Sequence, residues 1–374
     1  MASRKKEDLV ELRAKLLMGI KRSATREPSL KLATEVLTFL MRLVRHEKYD
    51  KVETLLEVLH ENGSLITAAY PSEFVIRNLV LAVSKIARDE GFRSDISDAT
   101  SAFNSLTRLW IDRRKDDALR VPLKDFREKL IDGVRELQTE METCRENIVR
   151  IGTELISTGD IVMVHSLNSS TTIQSFLKDI REKHKLRIMS VQNSSEPLNN
   201  DFPVEDYIKL CEAATKMAHV TKVVLSAITV FPDGSCLLPP GGRSICLSAQ
   251  RHNVPVYVLC AFYKIAPYFL PDPSIIIKHT LPGLPFDMAR KFAGRVRVLQ
   301  PAIEYTEPGL VSLYVTNTTV INPHHVYRII TDYYHQGDVY DSPDFQKDEA
   351  ALNSEKLGLG APAHIPPVND PLKA

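Results

Sequence analysis

Residues 304–334 read EYTEPGLVSLYVTNTTVINPHHVYRIITDYY. The stretch 310–315 is nearly all apolar, the mark of a strand buried on both faces rather than one with a wet side. A polar turn follows over 316–322, and Pro323 opens a helical pattern that runs through Tyr334. Proline suits a first helical turn because the amide it lacks would have had no partner there. Strand, turn, helix is the local reading, and it repeats backwards along the chain. Short apolar runs at 161–166, 186–191, 223–228 and 256–260 are separated by helical stretches at 172–183, 204–219 and 243–252. Strands alternating with helices predict a Rossmann-like, doubly wound parallel sheet over 159–340, which meets its ligands or partners at the carboxyl ends of the strands.

The front half has a different rhythm. Leu37, Leu40, Met41 and Val44, then Val52, Leu55, Leu56 and Leu59, fall at spacings of three and four, which makes two amphipathic helices joined near 48–50. Another helix follows Pro71, with Phe74, Ile76, Leu79, Val80, Val83 and Ile86 as its apolar members, and the polar 91–99 reads as a loop. The longest helix carries one stripe through Phe126, Leu130, Val134, Leu137, Met141, Cys144, Ile148, Ile151 and Leu155, with Gly159 where a left-handed C-cap is expected. The fold class is therefore α/β, an N-terminal helical domain over 30–158 followed by the Rossmann-like domain. Residues 1–29 read as a flexible N-terminus, and 341–374, polar with scattered proline, as a disordered tail.

A chain of 374 residues is long enough for two domains. Lys and Arg total 48 against 47 for Asp and Glu, which removes the broad basic footprint that direct nucleic-acid binding needs. The five cysteines, Cys144, Cys211, Cys236, Cys246 and Cys260, are widely spaced and form no CxxC pair, so reduced thiols are expected rather than a disulfide framework or a zinc site. No run of about 18 apolar residues occurs, and the start MASRKKEDLVEL has no apolar signal core. A soluble protein of the cytosol, away from membranes, is the expectation.

The strand ends are where an enzyme of this architecture keeps its chemistry. After the first strand come His165, Ser166, Leu167, Asn168, Ser169 and Ser170, with no base poised beside a nucleophile. His165 is either an acid or base or a satisfied structural residue, and the serines suit the N-cap of the helix that begins near Thr172. After the third strand, Asp233-Gly234 signals a turn. Gly241-Gly242 precedes a helix and offers a phosphate free amides, although Pro239 and Pro240 remove amides from the same loop. No GxGxxG, Walker A, HExxH or GxSxG pattern is present. No cofactor, metal ligand set or catalytic residue is expected.

Glu304, Tyr305-Thr306, the apolar 310–315, Thr316-Asn317 and Pro323 together resemble the carboxyl-terminal signature shared by the regulatory subunits of translation initiation factor 2B and by methylthioribose-1-phosphate isomerases. Val326-Tyr327-Arg328 is similar to the beta-type members of that family. Ala68, Ala69, Pro71, Ser72 and Glu73 match their Ala-Ala-x-Pro-Ser-Glu segment, and 171–178, 241–252 and 262–267 agree in type and order. The isomerases of the family place a catalytic Cys after the first strand and a catalytic Asp after the third. Residues 165–170 hold no Cys and 226–229 no carboxylate, and only the glycines of the family's phosphate loops survive, at Gly234 and Gly241-Gly242. Residues 192–222 also look shorter than the family's strand and helix pair there.

The resemblance implies a non-catalytic regulatory subunit of the guanine nucleotide exchange factor for initiation factor 2. It would pair with a delta subunit, join alpha, gamma and epsilon subunits in a decamer, and help sense the phosphorylated alpha subunit of initiation factor 2, as in the integrated stress response. Asn168, Ser170, Asp233, Asn317, Asn322, His324, Tyr327 and Arg328 would then be partner contacts, while Val326, Tyr327 and Ile330 face either core or interface. The rival readings are a sugar-phosphate isomerase and a homodimeric interaction module outside translation.

Overall fold

The computed structural model describes residues 11, 13–18, 29–47, 49, 51–69, 73–95, 123–192, 204–269, 279–280, 300–301 and 303–340. The expected disordered tail, 341–374, lies outside them, as do 96–99 of the expected loop. Of the expected flexible start, 13–18 are described and helical. Leu16 joins the core, and the Arg13 guanidinium donates to Asn62 Oδ1 at 3.2 Å.

Besides the helical 13–18, the described residues of the front include the helices α1 (Ser29–His46), α2 (Val52–Ala69), α3 (Phe74–Asp95) and α4 (Leu123–Thr153). The stripes read from spacing are the buried faces. Leu37, Leu40 and Val44 of α1, Leu55 and Leu59 of α2, and Ile76, Leu79 and Val83 of α3 all lie in the core. The expected loop at 91–99 is corrected at its start, because α3 continues to Asp95. Gly91 packs directly over Val52 of α2, which keeps the polar end of α3 on the bundle.

Along α4 every stripe residue from Phe126 to Ile148 is buried. At roughly 1.5–3 kcal/mol for each large apolar side chain buried, this helix is a principal source of stability. It stops at Thr153, so Gly159 is not its cap. Gly159 does adopt φ +92°, but in the turn that enters the sheet, where its amide donates to Lys185 O at 2.8 Å.

The rest of the chain runs β1 (Ile161–His165), α5 (Thr171–Lys183), β2 (Arg187–Gln192), β3 (Asp206–Lys209), α6 (Leu210–Lys216), β4 (Lys222–Ser226), β5 (Thr229–Val230), β6 (Cys236–Leu238), α7 (Gly242–Arg251), β7 (Val256–Leu259), β8 (His279–Thr280), β9 (Gln300–Pro301), β10 (Glu304–Thr306), β11 (Leu313–Val315), β12 (Val320–Ile321), α8 (Val326–Tyr333) and α9 (Gln336–Tyr340). Among the described residues the main sheet has seven strands in the order β12-β11-β7-β4-β1-β2-β3, parallel except for β12. Strand order reverses between β1 and β4, and the crevice of a doubly wound sheet opens at such a point.

Several sequence expectations change here. The helix expected over 204–219 begins as strand β3, which pairs with β2, and is helical only from Leu210. Ion pairs from Arg187 to Asp206 and from Arg181 to Glu205 fix this edge strand in place. The strand expected from Leu310 starts at Leu313, because Pro308 heads a 3-10 turn. The polar turn after it contains β12. A small antiparallel sheet, β10-β6-β5, was not expected at all.

The Asp233-Gly234 turn closes the hairpin of β5 and β6. Asp233 Oδ1 accepts from the Ser235 amide at 2.9 Å and its hydroxyl at 2.6 Å, while Gly234 sits at φ +82°. Tyr314 Oη donates to Gly234 O at 2.8 Å, and a Cβ on Gly234 would lie 2.4 Å from Pro323 O. The hairpin tip is thus seated on the start of the last helical segment. Gly234→Ala combines a left-handed backbone with a backbone clash and is expected to cost about 2–4 kcal/mol. Urea denaturation of both proteins reads this as a lower midpoint, and an unchanged midpoint would contradict the close approach.

Candidate functional site

A cavity of about 90 Å³ lies at the carboxyl ends of β1 and β4. One wall is the turn after β1. Ser166, 2 % exposed, takes the left-handed conformation at φ 56° and holds His165 Nδ1 at 3.0 Å through its hydroxyl. The Ser169 and Ser170 amides both donate to Ser166 O at 3.2 Å, and Ser170 Oγ accepts from the Ile173 amide as the N-cap of α5. A strained non-glycine residue at the mouth of a crevice is a recurring feature of sites inherited for ligand binding.

The second wall, Ser226, Ala227 and Ile228, carries no carboxylate. Lys264, on a 3-10 turn after β7, donates to Ala227 O at 3.1 Å and draws the third wall across. The helical region supplies the lid: Met141, Cys144, Arg145 and Ile148 of α4, with Val75 and Glu73 from the start of α3. The remaining volume holds a few waters, whereas small-molecule sites run from about 300 Å³ upward.

Among the described residues, one thiol and one carboxylate, Cys144 and Glu73, line this cavity, both from the helical region and neither from a strand loop. Burial pushes the Cys144 thiol up to about 12, so it stays protonated near neutrality. Burial raises Cys260, Cys246 and Cys236 as well. No group of three or more His, Cys, Asp or Glu side chains suited to a metal ion occurs among the described residues. The anion site anticipated at Gly241-Gly242 is taken internally: Gly241 is left-handed at φ 93°, and Glu304 Oε2 accepts from the Arg243 amide at 3.1 Å at the start of α7. The Arg243 guanidinium is held by Glu307, which keeps the Glu307 carboxyl below its ordinary range.

The remaining sequence candidates fall in three places. Ser170 lines the cavity, and Asn168 is half-buried in the turn beside it. Asp233, Asn322, His324, Tyr327 and Arg328 are exposed around the contact of Gly234 with Pro323; Asn322 caps the His324 amide at 3.1 Å, and Tyr327 is 52 % exposed. The rest of that face is core, with Val326 and Ile329 buried. Asn317 is buried, its Nδ2 donating at 2.8 Å to Glu140 Oε1, which also accepts from Tyr333 Oη.

Sequence reasoning missed Cys144, Arg145, Glu73 and Lys264 as cavity residues. Periodicity announced that the α4 stripe is buried, but not that its last turns face the sheet.

A family model described as the initiation factor 2 subunit family matches residues 25–323. The chain belongs to that family. It is 26 % identical over 249 residues to translation initiation factor eIF2B subunit beta of Dictyostelium discoideum, covering 64 % of this chain and 62 % of that protein. The subunit beta of Schizosaccharomyces pombe is 20 % identical over 362 residues, covering 82 % and 91 %. A ribose 1,5-bisphosphate isomerase of Pyrococcus furiosus is 25 % identical over 220 residues, covering 56 % and 68 %. Among solved structures, eIF2B beta from Chaetomium thermophilum superposes with a TM-score of 0.67 at 22 % identity over 89 % of this chain and 94 % of that one. A chain of the tetrameric eIF2B-beta2-delta2 complex from the same organism gives 0.65 at 22 %, over 89 % and 97 %. These likenesses fix the fold as that of the initiation factor 2 subunit family, whose members among the relatives include both initiation factor subunits and isomerases.

With four of the five cysteines buried and Cys211 exposed, thiol titration of the native chain with a disulfide reagent at pH 7.5 should show one fast-reacting group, mapping to Cys211. Fast labelling of Cys144 would contradict a protonated, enclosed thiol.

Proposed function

We propose that this chain is a beta-type, non-catalytic regulatory subunit of the guanine nucleotide exchange factor for initiation factor 2. The observation that carries this reading is the make-up of the cavity. Where the isomerase pattern calls for a cysteine and an aspartate on strand loops, this chain has serines, Ala227 and Ile228, and its one nearby thiol is held protonated. Proton transfer on a sugar phosphate needs an acid and a base within hydrogen-bond reach of the substrate. Among the described residues, the loops after the first and third core strands bring no cysteine or carboxylate to the cavity, the sheet-side amine of Lys264 is tied to Ala227 O, and the volume is small for a sugar phosphate.

Family membership and the two beta relatives support a role in translation initiation. On this reading the helical domain, 30–158, and the Rossmann-like domain, 159–340, serve as scaffold and sensor. The chain pairs with a delta subunit, as its Chaetomium relative does in the tetrameric beta2-delta2 complex, and joins alpha, gamma and epsilon subunits in the cytosol. The assembly responds to the phosphorylated alpha subunit of initiation factor 2. The exposed group Asp233, Asn322, His324, Tyr327 and Arg328 is the face assigned to the partner, since tyrosine and arginine carry large shares of interface energy. Asn168, Ser170 and Asn317 lie elsewhere, Ser170 on the cavity and Asn317 buried against Glu140, and are assigned to partner contact only as part of the same reading.

Co-expression of the tagged chain with its cognate delta subunit is expected to yield one co-purifying species. The double substitution Tyr327→Ala and Arg328→Ala should lower recovery of delta at least tenfold while leaving the circular dichroism spectrum unchanged. A chain that purifies as a defined self-associated species and ignores delta would overturn the assignment.

A further inference from the structure

We propose that residues 326–340 form a clasp that opens and closes as one unit against the helical region, with the Arg88–Asp338 pair as its latch. This is independent of which partner the chain pairs with. The segment starts on the sheet's core, where Val326 and Ile329 of α8 are buried, and then grips the turn after β7 and the helical region, mainly through side chains. At the near end the Tyr333 ring stacks on Phe262 with centroids 4.6 Å apart and planes 16° off parallel, and its hydroxyl donates to Glu140. Tyr334, 4 % exposed, donates from its hydroxyl to Ile265 O at 2.8 Å. In the middle, the Lys85 ammonium donates to Thr331 O at 2.9 Å and to Asp332 O, carbonyls at the end of α8 that have no partner inside the helix.

The far end depends on one charge. Helix α9 has five residues, too few to persist unaided. Asp338, 2 % exposed, is seized by the Arg88 guanidinium, whose Nε donates to both carboxylate oxygens at 2.9 and 3.0 Å. His60 faces the same carboxylate at 4.0 Å. Its Nε2 lies 3.2 Å from Ser84 Oγ, and the Ser84 proton goes to Val80 O, so the imidazole donates from Nε2. A buried carboxylate gripped by a fork holds firmly only while the charge is present, and loss of one partner strands the other.

The clasp also touches the cavity. Phe262 and Ile265, which it holds, belong to the turn whose Tyr263 and Lys264 line the cavity wall. Asn78 of α3 fixes the same turn from the other side by donating to Tyr263 O at 3.1 Å. Opening the clasp therefore loosens the wall, and anything that orders the wall favours the closed clasp by linkage.

Hydrogen exchange of the full-length chain, read by mass spectrometry, tests this. In Asp338→Asn, amides of 328–340 and of 263–266 are expected to exchange at least tenfold faster, with β1 and β4 unchanged. Acceleration confined to 336–340, or spread evenly through the sheet, would overturn the proposal. If that variant does not fold, wild-type exchange in sub-denaturing urea decides. A shared opening isotherm for 328–334 and 263–266 below that of the sheet supports the clasp, and merging with the sheet's isotherm refutes it.

Discussion

The packing of one face of α4 against two different partners governs this molecule. Its amino-terminal half, through Phe126, Leu130 and Val134, belongs to the bundle of α1 and α3, while Met141, Cys144 and Ile148 reach the sheet and α5. One buried cluster runs without a break from Val36 and Leu40 through this stripe to Val162, Phe176, Phe262 and Val315. Close-packed interiors transmit displacement rather than absorb it. A helix shared in this way fixes the helical region on the carboxyl edge of the sheet, where it also sets the space left in the crevice.

That placement has a chemical consequence. The crevice at the strand-order reversal is where a doubly wound fold handles ligands, yet here Met141, Cys144 and Arg145 border it and the loops after β1 and β4 bring hydroxyls, Ala227 and Ile228 to it rather than a cysteine or carboxylate. Ser166 keeps a left-handed backbone beside the cavity, strain that a purely structural turn has no need to store. The helix start that would receive a phosphate has Glu304 against it. Near Pro323 the outward-facing residues are polar and aromatic, Asp233, Asn322, His324, Tyr327 and Arg328.

Much of this was legible in the residues. Long helices showed themselves because spacings of three and four persist over many turns, and the five core strands because buried parallel strands are runs of apolar residues. Asp233-Gly234 read as a turn for the reason the structure confirms, a left-handed glycine. Other features left no signal. Strand β3 is four residues carrying Asp and Lys, which periodicity cannot tell from a helix, and its pairing rests on carboxylates contacting distant arginines. Strands β5 and β6 are too short to show a period of two. The cavity wall was hidden because a stripe reveals that Cys144 is buried, not what it is buried against. Asp338 and Arg88 meet only because the chain returns to α3 after 250 residues.

The most direct test is of the narrow crevice itself, whose strand loops after β1 and β4 carry no cysteine or carboxylate. The purified chain is incubated with ribose 1,5-bisphosphate, the sugar phosphate on which its archaeal relatives act, and followed by phosphorus NMR. The sugar phosphate is expected to persist unchanged over the time in which an archaeal isomerase consumes it. Steady conversion to a ketose product, abolished by Cys144→Ser, would contradict a crevice that α4 has filled.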